Sequence, residues 1–256
     1  MLTVAIIARD EERHIGAALD SVAGLAGETL VLLDDRTADR TAEVCRSRGA
    51  RVCVEPWRGF PAQRNRALEL ARGTWVLFLD ADERVTEELR AEIDAVIAGH
   101  GSAAAAPGVA GYWIPRHNIF FGQALRGGGW YPDHQLRLLR RGAARYDERR
   151  LVHEFAELDG PEARLAGHFL HLNIERLDEL WRKQTAYALH EAQTLYLSGA
   201  RARWRNFVGA PARELLRRYL RLGGYRDGAV GLFMCAALAY FELVKYAHLK
   251  GLERLR

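Results

Sequence analysis

Two carboxylates, Asp80 and Asp82, close the stretch TWVLFLDADER directly after the large apolar residues Trp75 to Leu79. In an extended segment, side chains one residue apart project the same way, so both acids can face one hard cation. Mg²⁺ or Mn²⁺ held by so few protein oxygens completes its shell with substrate phosphates. The competing use of the same acids is to cap a helix beginning near Val85.

A second apolar run ends in Asp34, and Asp39 and Thr41 stand where the turn after it passes into a helix. A carboxylate can accept the imide N–H of a uracil. Arg64, next to Asn65 and Arg66 near another helix start, can hold a diphosphate. Asp34, Asp39, Arg64 and Asp80 together read as a nucleotide-diphosphate site.

Such a site needs a scaffold that delivers several strand ends to one edge. Leu2 to Ile7, Thr29 to Leu33, Arg51 to Glu55 and Trp75 to Leu79 are short, largely apolar runs. Between them lie helical patterns: one with Ile15, Leu19 and Val22 on a face, one over Thr41 to Arg48 behind Asp39, and one over Ala62 to Ala71. This alternation implies right-handed crossovers and a parallel sheet buried on both faces, whose ligands bind beyond the carboxyl ends of the strands.

At 256 residues and 49% hydrophobic composition, the chain can bury a full core. Cys45, Cys53 and Cys235 are an odd count without metal-ligand spacing, and the opening MLTVAIIARDEER lacks the build of a secretion signal. Both point to the cytoplasm. The net charge of +4 is polarised: from residue 201 onward twelve basic side chains stand against four acids, leaving a surplus of acid in residues 1–200. A basic tail of this kind suits an anionic partner.

In the order VAIIARDEERHI, LVLLDDRTADRT, AQRNRALELARGTWVLFLDADER, residues 2–90 resemble the nucleotide-binding half of the inverting, family-two glycosyltransferases of GT-A fold. The resemblance implies an α/β fold with a mostly parallel sheet flanked by helices, a nucleotide-sugar donor and a Mg²⁺ or Mn²⁺ cofactor. It assigns Ala8, Arg9, Glu11, Asp34, Asp39, Arg64 and Asp80 to the nucleotide. Two departures bear on the base contacts: Ala8-Arg9-Asp10 replaces an Asn-containing loop, and Thr37 stands for Ser.

Beyond a small-residue spacer at 98–111, the segments Trp130-Tyr131-Pro132-Asp133, Arg137-Leu138 and Val152-His153-Glu154 resemble the bacterial lipopolysaccharide-core branch of the same superfamily. Inverting transfer needs a carboxylate to take the acceptor hydroxyl proton. Glu154 and Asp133 compete for that role; the resemblance favours Glu154, with Asp133, Trp130 and Arg137 on the acceptor or donor sugar. A histidine can complete a carboxylate metal site, with His153, His168 and His171 as candidates; His153 is the one taken with Asp80 and Asp82.

The expected organisation is a nucleotide-sugar half over 1–97, an acceptor and catalytic half over 98–175, and a helical region over 176–256. In that last region Phe207, Leu215, Leu216, Tyr219 and Leu220 interleave with arginines, and the apolar stretch 228–241 is read as too short to span a bilayer. Lying on an anionic membrane surface, peripheral to the inner membrane, it would bring the enzyme to a glycolipid acceptor. Two other functions are weaker. A sugar-phosphate nucleotidyltransferase needs a glycine-rich basic loop where ARDEER stands, and a nucleic-acid binder would not thread its arginines through large apolar residues.

Overall fold

A computed structural model describes residues 1–99, 108–149 and 156–254. The chain divides into two compact units, one of residues 1–116 and 133–171, the other of residues 117–132 and 172–256.

The first unit opens with β1 (Leu2–Ala8), α1 (Ile15–Ser21), β2 (Glu28–Asp34), α2 (Thr41–Ser47), β3 (Arg51–Glu55), α3 (Phe60–Leu70) and β4 (Trp75–Phe78). The expected strands and helices are present with small shifts at their ends. In chain order there follow β5 (Glu83–Val85), α4 (Glu87–Ala98), β6 (Gly111–Phe120), β7 (Gln123–Ala124), β8 (Asp133–Arg140), β9 (Ala144–Tyr146), β10 (Ala156–Leu158), β11 (Glu162–Arg164) and β12 (Phe169–Ile174), of which β7 and the last residues of β6 and β12 belong to the second unit.

The main sheet runs β3-β2-β1-β4-β8-β6-β12-β5. Its first four strands are parallel, and β8 joins β4 antiparallel, so the parallel half expected from the sequence is extended by an antiparallel one. Leu2, Val4 and Ile6 pack into one apolar cluster, while Ala5, Leu30 and Leu32 enter another. That alternation is the period of a sheet covered on both faces. Each such leucine, isoleucine or valine contributes roughly 1.5–3 kcal/mol by leaving water. Gly73 lets the chain enter β4 tight against β1, because a Cβ there would lie 2.6 Å from the Thr3 backbone nitrogen.

The helix expected near Val85 begins two residues later. Glu83–Val85 pairs with β12 instead, and Thr86 caps α4 by accepting the Leu89 N–H at 3.3 Å. The capping task therefore falls to Thr86, not to Asp80 or Asp82.

In the second unit, α5 (Leu177–Leu197), α6 (Trp204–Leu216), a π-helical turn (Arg217–Arg221), a 3-10 turn (Gly224–Asp227) and α7 (Gly228–Arg254) follow one another. Helix α7 packs on both α5 and α6. The helix runs on past Phe241, where the apolar stretch 228–241 meets Glu242. Glu242 and Lys245 pair with each other one turn apart, which lets the helix run through them. Together with the preceding 3-10 turn, as Gly224–Arg254, it is long and apolar enough to cross a bilayer by length and composition alone, and 39% of its most apolar window is buried.

Candidate active site

Parallel register brings the ends of β1, β2 and β4 to one edge, with Ala8 beside Leu33 and Ala5 beside Phe78. A cavity of about 1090 Å³ opens there. Ala8, Arg9, Glu11, Asp34, Arg64 and Asp80, expected at the nucleotide, all line it, together with Asp82, Asp133 and His171.

Asp34 is nearly inaccessible, at 4% exposure. Its Oδ1 accepts from the Arg36 backbone N–H at 2.9 Å and from Arg36 Nε at 3.0 Å, while Oδ2 accepts from Arg36 Nη2 at 2.8 Å. The Arg36 guanidinium holds this carboxyl far below the usual carboxylate range, against the opposing effect of burial. A base reaching Asp34 therefore meets a carboxylate already forked to an arginine.

Asp39 does different work and is not among the cavity-lining residues. It accepts from the Thr41 N–H and hydroxyl and from the Glu12 N–H at 2.9 Å, and Thr41 Oγ1 in turn accepts the Glu11 N–H at 2.8 Å. Asp39 thus ties the loop after β1 to the start of α2.

On another wall, Trp57 meets Phe60 edge to face with ring centroids 4.8 Å apart, and Arg64 lies 6.0 Å from the Phe60 ring and 5.3 Å from that of Tyr146. These contacts hold the Arg64 guanidinium in place. Its neighbours serve the scaffold: Asn65 bonds the Tyr146 backbone, and Arg66 pairs with Glu55 and Glu69.

The two acids after β4 have separate partners. Asp80 is forked to the buried Arg137, Nη1 to Oδ1 at 3.2 Å and Nη2 to Oδ2. Burial opposes its ionisation, but Arg137, Arg64 and Arg116 outweigh that and hold it low. Asp82 faces His171, Oδ2 to Nε2, at 3.3 Å. His171 reaches it because β12 pairs with β5 and sets His171 opposite Glu83.

This pair fits a divalent cation. One hard oxygen and one imidazole nitrogen face the same cavity, separated by close to the ~3 Å between neighbouring ligands of an octahedral ion with ~2.1 Å bonds. Among the described residues no group of three or more His, Cys, Asp or Glu side chains forms a complete cage. A cation here would depend on phosphate oxygens and water for the rest of its shell. His153, the histidine expected at the metal, lies outside the described residues, as does Glu154.

Asp133 and Arg116 are cross-strand partners on β8 and β6. Asp133 Oδ2 accepts from Arg116 Nε at 3.0 Å and Nη2 at 2.6 Å, and Oδ1 accepts from Gln135 at 2.8 Å. Arg137, expected at the sugar, is buried under Asp80 instead of lining the cavity. Trp130 belongs to the second unit, where its ring packs on Phe120 and lies 4.9 Å beneath the Arg218 guanidinium.

Sequence reasoning did not single out Glu83, Arg116, Arg36, Trp57 or Phe60. Glu83 reads as the third acid of a polar turn, yet it is fully buried. Arg116 becomes legible only once the β6–β8 register is known.

Residues 3–141 match the family described as glycosyl transferase family 2. The lipopolysaccharide core biosynthesis glycosyltransferase LpsC of Rhizobium meliloti (strain 1021) is 29% identical over 252 residues, covering 96% of this chain and 90% of that one. The uncharacterized glycosyltransferase RT0209 of Rickettsia typhi is 37% identical over 95 residues, 37% of this chain and 32% of that one. Among solved structures, S. aureus TarS 1-349 in complex with UDP is similar at 14% identity and a TM-score of 0.47, over 99% of this chain and 90% of that one.

Proposed function

The chain belongs to glycosyl transferase family 2 and is a glycosyltransferase; from that premise we propose that it moves a sugar, with inversion, from a UDP-linked donor to a glycolipid acceptor such as lipopolysaccharide core. The observation that carries the reading is the single cavity that gathers Asp34, Arg64, Asp80 and the Asp82–His171 pair. The likeness to LpsC over 96% of the chain supports lipopolysaccharide core as the acceptor class.

In this reading Asp34 and Arg36 meet the base, with Ala8, Arg9 and Glu11 around it and Arg64 toward the diphosphate. Asp82 and His171 hold Mg²⁺ or Mn²⁺, with Asp80 alongside. The cation, when bound, neutralises the charge that builds on the departing diphosphate. The acceptor oxygen forms a bond to the anomeric carbon as that carbon's bond to the diphosphate oxygen breaks; the nucleoside diphosphate leaves and the hydroxyl proton passes to a carboxylate. We assign that proton to Glu154. Asp133 has both oxygens engaged by Arg116 and Gln135, which suits it to binding sugar rather than taking a proton.

The membrane is the proposed meeting place of enzyme and acceptor, on the cytoplasmic face. Along α6 and the π turn, Trp204, Val208, Leu216 and Leu220 are exposed in an i, i+4 progression, with Trp204 at 83%. Arg205, Arg213, Arg217 and Arg221, also exposed, run in the adjacent row. An apolar ridge beside an arginine ridge is what an interfacial helix presents to anionic headgroups. Thermal unfolding with Mn²⁺ and a panel of UDP-hexoses tests the donor, since a ligand of the native state raises its stability by mass action.

A further inference from the structure

Glu83 is a fully buried carboxylate that is not among the residues lining the cavity and has no part in the transfer step described above. Its surroundings account for it. Oε2 accepts the Asp80 backbone N–H at 3.0 Å, and Oε1 lies 3.4 Å from Arg116 Nη1 and 3.7 Å from Arg137 Nη2. Arg137 turns its fork to Asp80, while Arg116 turns Nε and Nη2 to Asp133 and brings Nη1 to 4.0 Å from Asp80. Three acids and two guanidinium groups thus form one cluster, with Asp80 and Asp133 at the cavity and Glu83 buried behind them, and Arg116 approaches all three acids.

We propose that Arg116 is a positioning residue for glycosyl transfer, which with Glu83 as its buried anchor sets the separation between the carboxylates of Asp80 and Asp133. The proposal rests on the reading of the cavity as the transfer site. Arg116 springs from β6 directly opposite Asp133, so the sheet fixes one end of the yoke. Glu83 fixes the other end, because it binds the Asp80 backbone and both guanidinium groups at once. Burial, and then the Asp80 charge, push the Glu83 carboxyl upward, against the pull of Arg137 and Arg116. The guanidinium groups are what keep an acid tolerable at that depth.

The planar fork is essential to this role. A lysine at 116 has one compact ammonium and can satisfy Asp133 or the Glu83–Asp80 side, but not both in the same geometry. Releasing either end lets the sugar bound at Asp133 shift relative to Asp80, and a misplacement of its reacting carbon on the order of 1 Å costs roughly 100-fold in rate. UDP and its cation contact Asp34, Arg64, Asp82 and His171 in our reading, and Asp80 beside them stays forked to Arg137 when residue 116 is changed, so their affinity changes little.

The test compares wild type, Arg116→Lys and Arg116→Ala. The probes are UDP with Mn²⁺ for binding, measured by calorimetry, and the UDP-hexose giving the largest Mn²⁺-dependent thermal shift on wild type for turnover, read as UDP release to water. The expected result is turnover about 100-fold down in both variants, with the affinity of Arg116→Lys for UDP within about threefold of wild type. Ethylguanidine should restore at least about tenfold of the turnover of Arg116→Ala without raising its Tm, an effect that a purely structural arginine does not produce. Turnover of Arg116→Lys within about threefold of wild type overturns the proposal, and so does a parallel loss of turnover and UDP affinity in the lysine variant. If Arg116→Ala does not fold, the lysine variant alone decides between these outcomes. Wild type that binds no UDP defeats the donor reading itself, a failure seen before any variant is made.

Discussion

Asp82 and His171 approach within 3.3 Å although one follows β4 and the other lies on β12. The meeting is made by the short strand Glu83–Val85, which carries the chain after Asp82 directly onto β12. It brings an imidazole nitrogen beside the second of two acids at a strand end.

If this pair holds the cation, Asp82→Asn and His171→Ala should each lower Mn²⁺ affinity by at least about 100-fold and take metal-dependent turnover down with it. Tm without metal should stay near that of wild type. Metal titration followed by calorimetry checks this, and undiminished affinity in both variants would remove the assignment.

Asp34→Ala should weaken UDP binding far more than any change at Asp133 does. The Arg36 fork adds a pH signature. Because the folded-state carboxyl is held well below its unfolded value of about 3.9, its contribution is present above that value and is lost as pH falls below it. Chemical denaturation between pH 5 and 2 should therefore show wild type losing stability more steeply than Asp34→Asn. Parallel acid limbs would mean that the fork does not persist in solution.

Much of this was legible beforehand, for a physical reason. Central parallel strands such as LTVAIIA and TLVLL are apolar throughout, so their runs, and the acids that end them, stand out in the sequence. Asp34, Asp80 and Asp82 were found that way. Strands of three residues such as β5, β9 and β11 carry no period of their own; pairing with distant partners creates them. The contacts of Glu83, and the choice of His171 among the candidate histidines, follow from the β5–β12 pairing, and that of Arg116 with Asp133 from the β6–β8 register, none of which the sequence displays. Arg137 was noticed through its motif, but its direction, down onto Asp80, is set by the alternation of β8 and required the register.

The choice of base is open to a direct comparison. Glu154→Gln keeps size and hydrogen bonding but loses basicity, so turnover should fall by about 10²–10⁴-fold with donor affinity nearly unchanged. Asp133→Asn should raise KM more than it lowers kcat. An exchange of these two outcomes would transfer the role to Asp133.

For the membrane surface, replacing Arg205, Arg213 and Arg221 with glutamate should abolish sedimentation with vesicles containing phosphatidylglycerol, while donor turnover in solution persists. Wild type should bind pure phosphatidylcholine vesicles weakly and lose the anionic preference as salt rises. Equal binding to both vesicle types would leave the arginine row without its assigned partner.

A cation-dependent nucleotide-sugar site at the carboxyl edge of the sheet is decided by thermal unfolding of wild type and Asp82→Asn with UDP-hexoses, with and without Mn²⁺. At saturation near 100 times Kd, a bound donor adds about 2.7 kcal/mol, which for a chain of this size is a rise of about 5–10 °C. That rise is expected for wild type with Mn²⁺ and at least one UDP-hexose, and its loss on adding EDTA or in Asp82→Asn. A rise of the same size in EDTA, or none with any UDP-hexose, would contradict it.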